Sequence, residues 1–118
     1  MGRFVRFGLP PIAVAALIFA LSSRSSLPGP GVVGLDKVAH AVAYATLAWL
    51  TARGLFGYRV ERLTAAVLGA LLATLYGVSD EWHQSFVPGR MTDPADLVAD
   101  ALGASVAAFA WFRFRHRW

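Results

Sequence analysis

Four long apolar segments make up most of this sequence and restrict what it can fold into. A helix needs about 20 mostly apolar residues to cross the hydrocarbon core of a bilayer, and each segment approaches that length. The fourth opens on Asp93–Pro94, which suits an N-cap followed by proline at the first helical position. The sequence predicts an all-α, four-helix transmembrane bundle that forms one domain over residues 1–118. The predicted spans are about residues 6–23, 36–55, 63–84 and 94–113.

The composition agrees with a membrane protein. Hydrophobic residues make up 57% of the chain and charged residues only 15%, whereas soluble domains carry about 25% charged residues. The absence of cysteine excludes disulfides, thiolate metal sites and thiol catalysis. A net charge of +4 would suit a nucleic-acid binder, but the basic residues flank the apolar segments instead of forming a stripe between aromatics. The expected partner is the lipid bilayer, and no nucleic acid is expected.

The distribution of Lys and Arg predicts which way the bundle sits in the membrane. Short loops that stay in the cytoplasm carry an excess of these residues. One side of the predicted bundle has eight of them, at Arg3, Arg6, Arg53, Arg59, Arg62, Arg113, Arg115 and Arg117. The other side has three, at Arg24, Lys37 and Arg90. Both termini and the loop after the second helix are therefore expected in the cytoplasm.

The N-terminal segment has a second interpretation, as a cleaved signal peptide. It has a basic start, an apolar stretch and a small-x-small site at Ala20-Leu21-Ser22, which are features of such a signal. Cleavage there would leave three spans and place the new N-terminus outside the cytoplasm. Both interpretations remain open at this point.

Polar and ionisable side chains gather at the extracytoplasmic end of three predicted helices. Residues four apart share one face of a helix, and the second, third and fourth helices each carry such pairs. A Pro88-Gly89 turn suits a loop that aims Arg90 back toward them. The residues that can converge there are Asp36, Lys37, His40, Tyr44, Asp80, Glu81, Gln84, Arg90, Asp96 and Asp100. We expect them to line one pocket.

These residue types suggest a site for an anionic group with a proton-transfer function. Lys37 and Arg90 suit an anion such as a phosphate, and His40 and Glu81 are the candidate catalytic acid and base. The other six residues are expected to bind or orient the substrate. No cofactor and no metal are expected, although one His among carboxylates leaves a divalent metal as an alternative. A structural cluster of helix caps and ion pairs is the alternative for each residue taken alone.

Three motifs in these segments resemble the VanZ-like family. The first is Asp36-Lys37-x-x-His40-x-x-x-Tyr44. The second and third are Asp80-Glu81-x-x-Gln84-x-Phe86-x-Pro88-Gly89-Arg90 and Asp96-x-x-x-Asp100-x-x-Gly103. Their order and spacing follow the family pattern over about residues 18–105, and Ser22-Ser23 also fits it. One position departs from the pattern, because Asp100 stands where the family usually has Asn and replaces an amide donor by a carboxylate.

The resemblance implies a multi-pass protein of the bacterial cytoplasmic membrane, in a family named for a member associated with low-level resistance to the antibiotic teicoplanin. The first functional hypothesis is an enzyme, or an enzyme-like binder, that acts on an anionic lipid or a lipid-linked cell-envelope precursor. The second is a non-catalytic membrane module whose polar cluster locks the bundle or binds a partner. An ion path is a weaker third, because charged residues do not continue from this cluster through the membrane. The oligomeric state is left open.

Overall fold

The structure, a computed structural model, describes residues 1–23, 35–89 and 92–114. Over these ranges it consists of helices and the turns that join them, with no strand. A π-helical turn, Phe4–Gly8, leads directly into the first helix. The four helices are α1 (Leu9–Ser22), α2 (Leu35–Gly57), α3 (Arg62–Gln84) and α4 (Pro94–Phe114). The predicted all-α architecture with four helices is confirmed.

Side chains cap the starts of α3 and α4. The Glu61 carboxylate accepts a hydrogen bond from the Leu63 N–H, and the Asp93 carboxylate accepts one from the Ala95 N–H at 2.9 Å. Such oxygens satisfy donors that the first turn of a helix leaves without a partner. Pro94 is the first residue of α4, where its missing N–H costs no hydrogen bond. The cap and the proline expected from the sequence are therefore confirmed.

Helix α2 forms the centre of the bundle, because it contacts α1, α3 and α4. Its buried side chains pack mainly against alanines of the two helices that follow it in the chain, and against Trp111 of the fourth. Small residues allow membrane helices to approach closely, since no bulky side chain separates the backbones. The contacts involve Tyr44, Leu47, Ala48 and Ala52 of α2 with Ala65, Ala73, Ala104 and Trp111 of α3 and α4. Polar residues on α2 are consequently surrounded by protein on several sides.

Three helical segments are long and apolar enough to cross a membrane, namely Phe4–Ser22, Arg62–Gln84 and Pro94–Phe114. Among the described helices, α2 does not meet this requirement, because charged and polar residues occupy its first turns. Its 23 residues nevertheless correspond to a length of about 34 Å, comparable to the hydrocarbon core of about 30 Å. The protein therefore has the character of a membrane protein, and a fourth span formed by α2 remains a prediction.

The outward faces of α1, α3 and α4 are apolar. Soluble monomers rarely expose a contiguous apolar surface of more than a few hundred Å², so these faces suit contact with lipid. Large side chains exposed on them include Ile12, Leu17, Phe19, Val67, Leu75, Leu102, Val106 and Phe109. Lipid contact on three sides leaves the polar groups to face inward or to lie at the ends of the bundle.

Arginine and aromatic side chains meet at the end of the bundle that the sequence assigns to the cytoplasm. Arg53, near the end of α2, donates from Nη1 to the Arg6 carbonyl at 2.6 Å. The Arg62 guanidinium, at the start of α3, lies 4.7 Å from the Phe112 ring of α4. The described part of the chain does not include Arg24, Arg90, Arg115 or Arg117. The orientation of the termini therefore remains a prediction.

Two glycines allow close contact between helices near the polar end. Gly103 of α4 faces the backbone of α2, where an added Cβ would overlap the Ala41 carbonyl. On α3, a Cβ at Gly77 would lie 2.8 Å from Asp100 Oδ2. Real Cβ atoms do not approach other atoms this closely, so larger residues would push the helices or the Asp100 carboxylate aside.

Gly103→Ala is expected to destabilise the bundle, because the added methyl group overlaps the Ala41 carbonyl. Overpacking costs about 1–3 kcal/mol, while alanine regains about 1 kcal/mol of helix propensity. Because the overlapped atoms belong to the α2 backbone, the cost should lie near the upper end of that range. The net loss should be about 2 kcal/mol, measured as the free energy of unfolding in mixed detergent and SDS. Gly2→Ala is the control, because the structure shows open space at that position. Equal stability of Gly103→Ala and wild type would contradict the close α2–α4 approach.

Candidate functional site

Lys37 is the centre of an ion-pair cluster where the start of α2 meets the start of α4. Its ammonium Nζ lies 2.7 Å from Asp36 Oδ2, 2.8 Å from Asp93 Oδ2 and 2.8 Å from Asp96 Oδ1. The Asp96 side chain is only 9% exposed, whereas the Asp36 side chain is 61% exposed. Lys37 therefore pairs with one carboxylate that is shielded from water and with two that lie nearer the rim.

His40 lies one turn further along α2 and contacts two carboxylates of α4. Its Nδ1 is 2.8 Å from Asp100 Oδ1, and its Nε2 is 3.6 Å from Asp96 Oδ2. Asp96 and Asp100 are four residues apart, so they share the face of α4 that is turned toward α2. When Asp100 is ionised its carboxylate only accepts hydrogen bonds, so this contact then requires the Nδ1–H tautomer and fixes the ring. Its other ring nitrogen can then take part in proton exchange.

Asp93 joins the end of α3 to the same cluster. Its backbone N–H donates to Glu81 Oε1 at 2.7 Å, while its side chain caps α4 and pairs with Lys37. The Lys37 ammonium and the Ala95 N–H hold the pKa of Asp93 below its usual range, because both stabilise the ionised carboxylate. The sequence indicated Asp93 only as a helix cap, and its ion pair became visible once α2 and α4 were placed side by side.

A second polar group lies between α1, α2 and α3, beside a cavity of about 110 Å³ that we call the inner cavity. Four of its lining side chains are at most 6% exposed, namely Ser22, Tyr44, Asp80 and Gln84. Gln84 Nε2 lies 3.5 Å from Asp80 Oδ2, the outer limit of a hydrogen bond. Ser22 Oγ, Tyr44 OH, Asp80 Oδ1 and Gln84 Oε1 find no hydrogen-bond partner in the described residues. Such unpaired buried groups are rare in proteins.

His40 borders both polar groups, because it pairs with Asp100 and also lines the inner cavity. The end of the bundle around it is rich in carboxylates. Six of the seven acidic residues in the chain lie there, and the seventh, Glu61, caps α3 at the opposite end. The described basic side chains in contact with these carboxylates are Lys37 and His40. Excess negative charge attracts cationic groups to the site.

The structure describes nine of the ten residues that the sequence predicts for this site. The charged cluster, as we name it, consists of Asp36, Lys37, His40, Glu81, Asp93, Asp96 and Asp100. Tyr44, Asp80 and Gln84 line the inner cavity instead. Arg90 lies outside the described residues. In the portions of the chain that are described, no three His, Asp or Glu side chains are grouped to hold one metal ion.

Residues at the end of α1 complete the wall of the site, and the sequence did not single them out. Ser22 lines the inner cavity, and its sequence signal was the Ser22-Ser23 pair after the first apolar segment. Ser23 Oγ donates to the Phe19 carbonyl at 2.8 Å and lies 3.0 Å from His83 Nε2. The His83 ring stacks on Phe19 with 4.6 Å between ring centres. These contacts hold α1 against α3.

Comparison with known proteins identifies the family. A family model described as VanZ/LLP1 matches residues 6–115, which include all four helices and every predicted site residue. No match was found among curated proteins or among solved structures. The described residues of the three motifs that resemble the VanZ-like family fall in the charged cluster, the inner cavity, the turn after α3 and, at Gly103, the contact between α4 and α2. The chain therefore belongs to the VanZ/LLP1 family, as a helical protein with membrane-spanning character.

Proposed function

We propose that this protein binds or processes an anionic lipid or a lipid-linked cell-envelope precursor at the outer face of the bacterial cytoplasmic membrane. The observation that carries the proposal is the pairing of His40 with the buried Asp100, directly beside the inner cavity. Ionisable groups within membrane helices are costly and are usually functional or paired. Action on an envelope precursor would also account for a link to teicoplanin resistance, for which the family is named.

His40 and Glu81 are the proposed acid and base. Asp100 holds the His40 ring through Nδ1 at 2.8 Å, which positions the imidazole for proton transfer. Glu81 Oε1 is held by the Asp93 N–H, whereas Glu81 Oε2 is buried and has no hydrogen-bond partner within the described ranges. One carboxylate oxygen is thus fixed by the Asp93 N–H, and the other is the oxygen proposed to exchange a proton.

Lys37 is the proposed contact for a phosphate, together with Arg90 as the sequence suggests. Lys37 already has three carboxylate partners, so an incoming phosphate must displace one of them. Asp36 is the candidate, because its side chain is 61% exposed and ion pairs open to solvent contribute little stability. Exchange of Asp36 for phosphate would leave Asp93 and Asp96 in place and keep the ammonium neutralised.

A non-catalytic membrane module is the second candidate function. The observation that favours it is the dense pairing of Lys37 and His40, since both bridge α2 to carboxylates on or next to α4. Such pairs can lock two helices together without any ligand. In that case, substitutions in the charged cluster should lower the amount of folded protein and leave the activity per molecule unchanged.

Lipid mass spectrometry of bacterial membranes with and without the protein tests the proposal. We expect at least one phosphate-bearing lipid class to change in amount or mass when wild type is produced, and to remain unchanged with His40→Asn at equal protein levels. Ser79→Ala is the control, because the exposed Ser79 hydroxyl donates within α3 to the Tyr76 carbonyl at 2.7 Å. Identical lipid profiles with and without wild type, and no lipid co-purified with it, would contradict the proposal.

A further inference from the structure

We infer that the inner cavity receives a primary ammonium group carried by the lipid ligand. The inference rests on the proposed function and names the chemistry of one part of its substrate. The ammonium would contact Asp80, Gln84 and Tyr44, while the phosphate of the same ligand would lie toward Lys37. The headgroup of an amine-bearing phospholipid and the free amine of a lipid-linked precursor share this chemistry.

The first step of the argument is that the inner cavity is built from buried polar atoms that lack partners. Ser22, Tyr44, Asp80 and Gln84 come from three different helices, and all are at most 6% exposed. Each contributes one atom without a hydrogen-bond partner in the part of the chain that is described. A buried polar atom left in this state costs free energy. Four such atoms around one cavity point to a group that satisfies them together.

The second step is that a group which donates hydrogen bonds fits these atoms best. A carboxylate and an amide oxygen only accept, and the unpaired atoms of Asp80 and Gln84 are oxygens of these kinds. The hydroxyls of Ser22 and Tyr44 can accept as well. A primary ammonium provides three donors and no acceptor, so its hydrogen-bonding capacity matches three of these atoms. A phosphate, which only accepts when fully ionised, would face two acceptor oxygens.

The third step is charge. Asp80 is buried, and no Lys or Arg among the described residues forms an ion pair with it. Its contact with Gln84, at 3.5 Å, is too long to stabilise a carboxylate well. Attraction between opposite charges is much stronger in a poorly polarisable interior than in water. A cation in the inner cavity would therefore be held firmly, whereas an anion would be repelled by Asp80.

The fourth step is size. The inner cavity holds about 110 Å³, roughly the share of three to four water molecules in the liquid. That space suits an ammonium and one or two methylene groups, and the apolar side chains of Ile18 and Leu21 also line it. A trimethylated ammonium has no N–H to donate, so it cannot form hydrogen bonds with Asp80 and Gln84. The cavity should therefore distinguish ethanolamine from choline headgroups.

The test measures retention of phosphatidylethanolamine by the full-length protein in phosphatidylcholine nanodiscs. Native mass spectrometry counts the ethanolamine lipid bound as its fraction in the disc is raised. We expect wild type to prefer it over phosphatidylcholine by about tenfold or more, with the preference nearly abolished in Asp80→Asn. Ser79→Ala, one residue away on the exposed face of α3, should keep the wild-type preference.

Two outcomes would overturn the inference. Wild type with no preference for the ethanolamine headgroup would show that the inner cavity holds only water, and this comparison needs no variant. An undiminished preference in both Asp80→Asn and Tyr44→Phe would place the ammonium elsewhere. Phosphatidylglycerol, which carries a phosphate and hydroxyls but no amine, separates this inference from the proposed function. If wild type binds it as well as phosphatidylethanolamine, the function stands without the ammonium site.

Discussion

Lys37→Met is expected to remove most of the folded protein, more than any other single substitution at the polar end of the bundle. The change leaves Asp36, Asp93 and Asp96 without the ammonium that all three contact. The Asp96 side chain is 9% exposed, and a shielded carboxylate that loses its partner is strongly destabilising. The methionine side chain retains much of the volume of lysine. The loss of folded protein would therefore come from the unpaired carboxylates and not from a cavity.

A double variant separates charge imbalance from other effects of the substitution. Lys37→Met with Asp96→Asn removes the ammonium and the most buried of its carboxylate partners together, and should recover part of the lost protein. The yield of monodisperse protein by fluorescence-detected gel filtration in detergent, and its melting temperature, measure both variants. Wild-type stability in the single Lys37→Met variant would mean that the charged cluster does not hold α2 against α4.

His40→Asn is expected to lower turnover of the lipid substrate by about 10²–10⁴-fold, the range typical for loss of a positioned acid–base group. The amide nitrogen of asparagine can take the place of Nδ1 and donate to Asp100, so the structural contact at 2.8 Å is preserved. The amide cannot exchange a proton at neutral pH. The substitution therefore keeps the hydrogen bond to Asp100 and removes the proton transfer.

The measurement is the amount of lipid converted per protein molecule, with the protein quantified in the same membranes. His40→Ala, which also removes the contact with Asp100, should lose activity and in addition some stability. Unchanged conversion by His40→Asn at wild-type abundance would assign His40 a structural role. Loss of protein in parallel with loss of conversion would favour the non-catalytic module.

Much of the fold could be predicted because its determinants are local. The length and apolar character of each segment predict a helix in lipid, and an Asp–Pro pair marks the start of α4 through its effect on the first turn. The observed α4 begins at Pro94, and the other helices begin and end close to the predicted spans. Less could be predicted for α2, since its polar residues become compatible with a membrane only through its position at the centre of the bundle.

The sequence predicts which residues form the candidate site but not which helices each of them contacts. Helical periodicity places Asp36, His40 and Tyr44 on one face of α2, yet it does not say which helix each residue meets. In the structure His40 meets α4 through Asp100, while Tyr44 borders the inner cavity next to α3. The division into a charged cluster and an inner cavity depends on how the helices are rotated about their axes, and that is set by packing between them.

Asp100, which departs from the family pattern, has a defined structural role in this chain. From the sequence it was a departure from the family pattern, a carboxylate where an amide is usual. In the structure it is almost fully buried and holds His40, which a carboxylate does more strongly than a neutral amide because the hydrogen bond is charge-assisted. Gly77 provides the room that Asp100 occupies beside α3.

Ligand-induced stabilisation of the purified protein tests the central claim most directly, because it asks whether the polar end binds a lipid. A ligand that binds only the folded state raises the melting temperature as its concentration rises. We predict that at least one phosphate-bearing lipid, added in detergent, raises the melting temperature of wild type and Ser79→Ala in a saturable manner. It should also raise that of His40→Asn, which keeps the contact with Asp100 and loses only the proton transfer. No saturable shift of wild type with any bacterial lipid fraction would contradict the account.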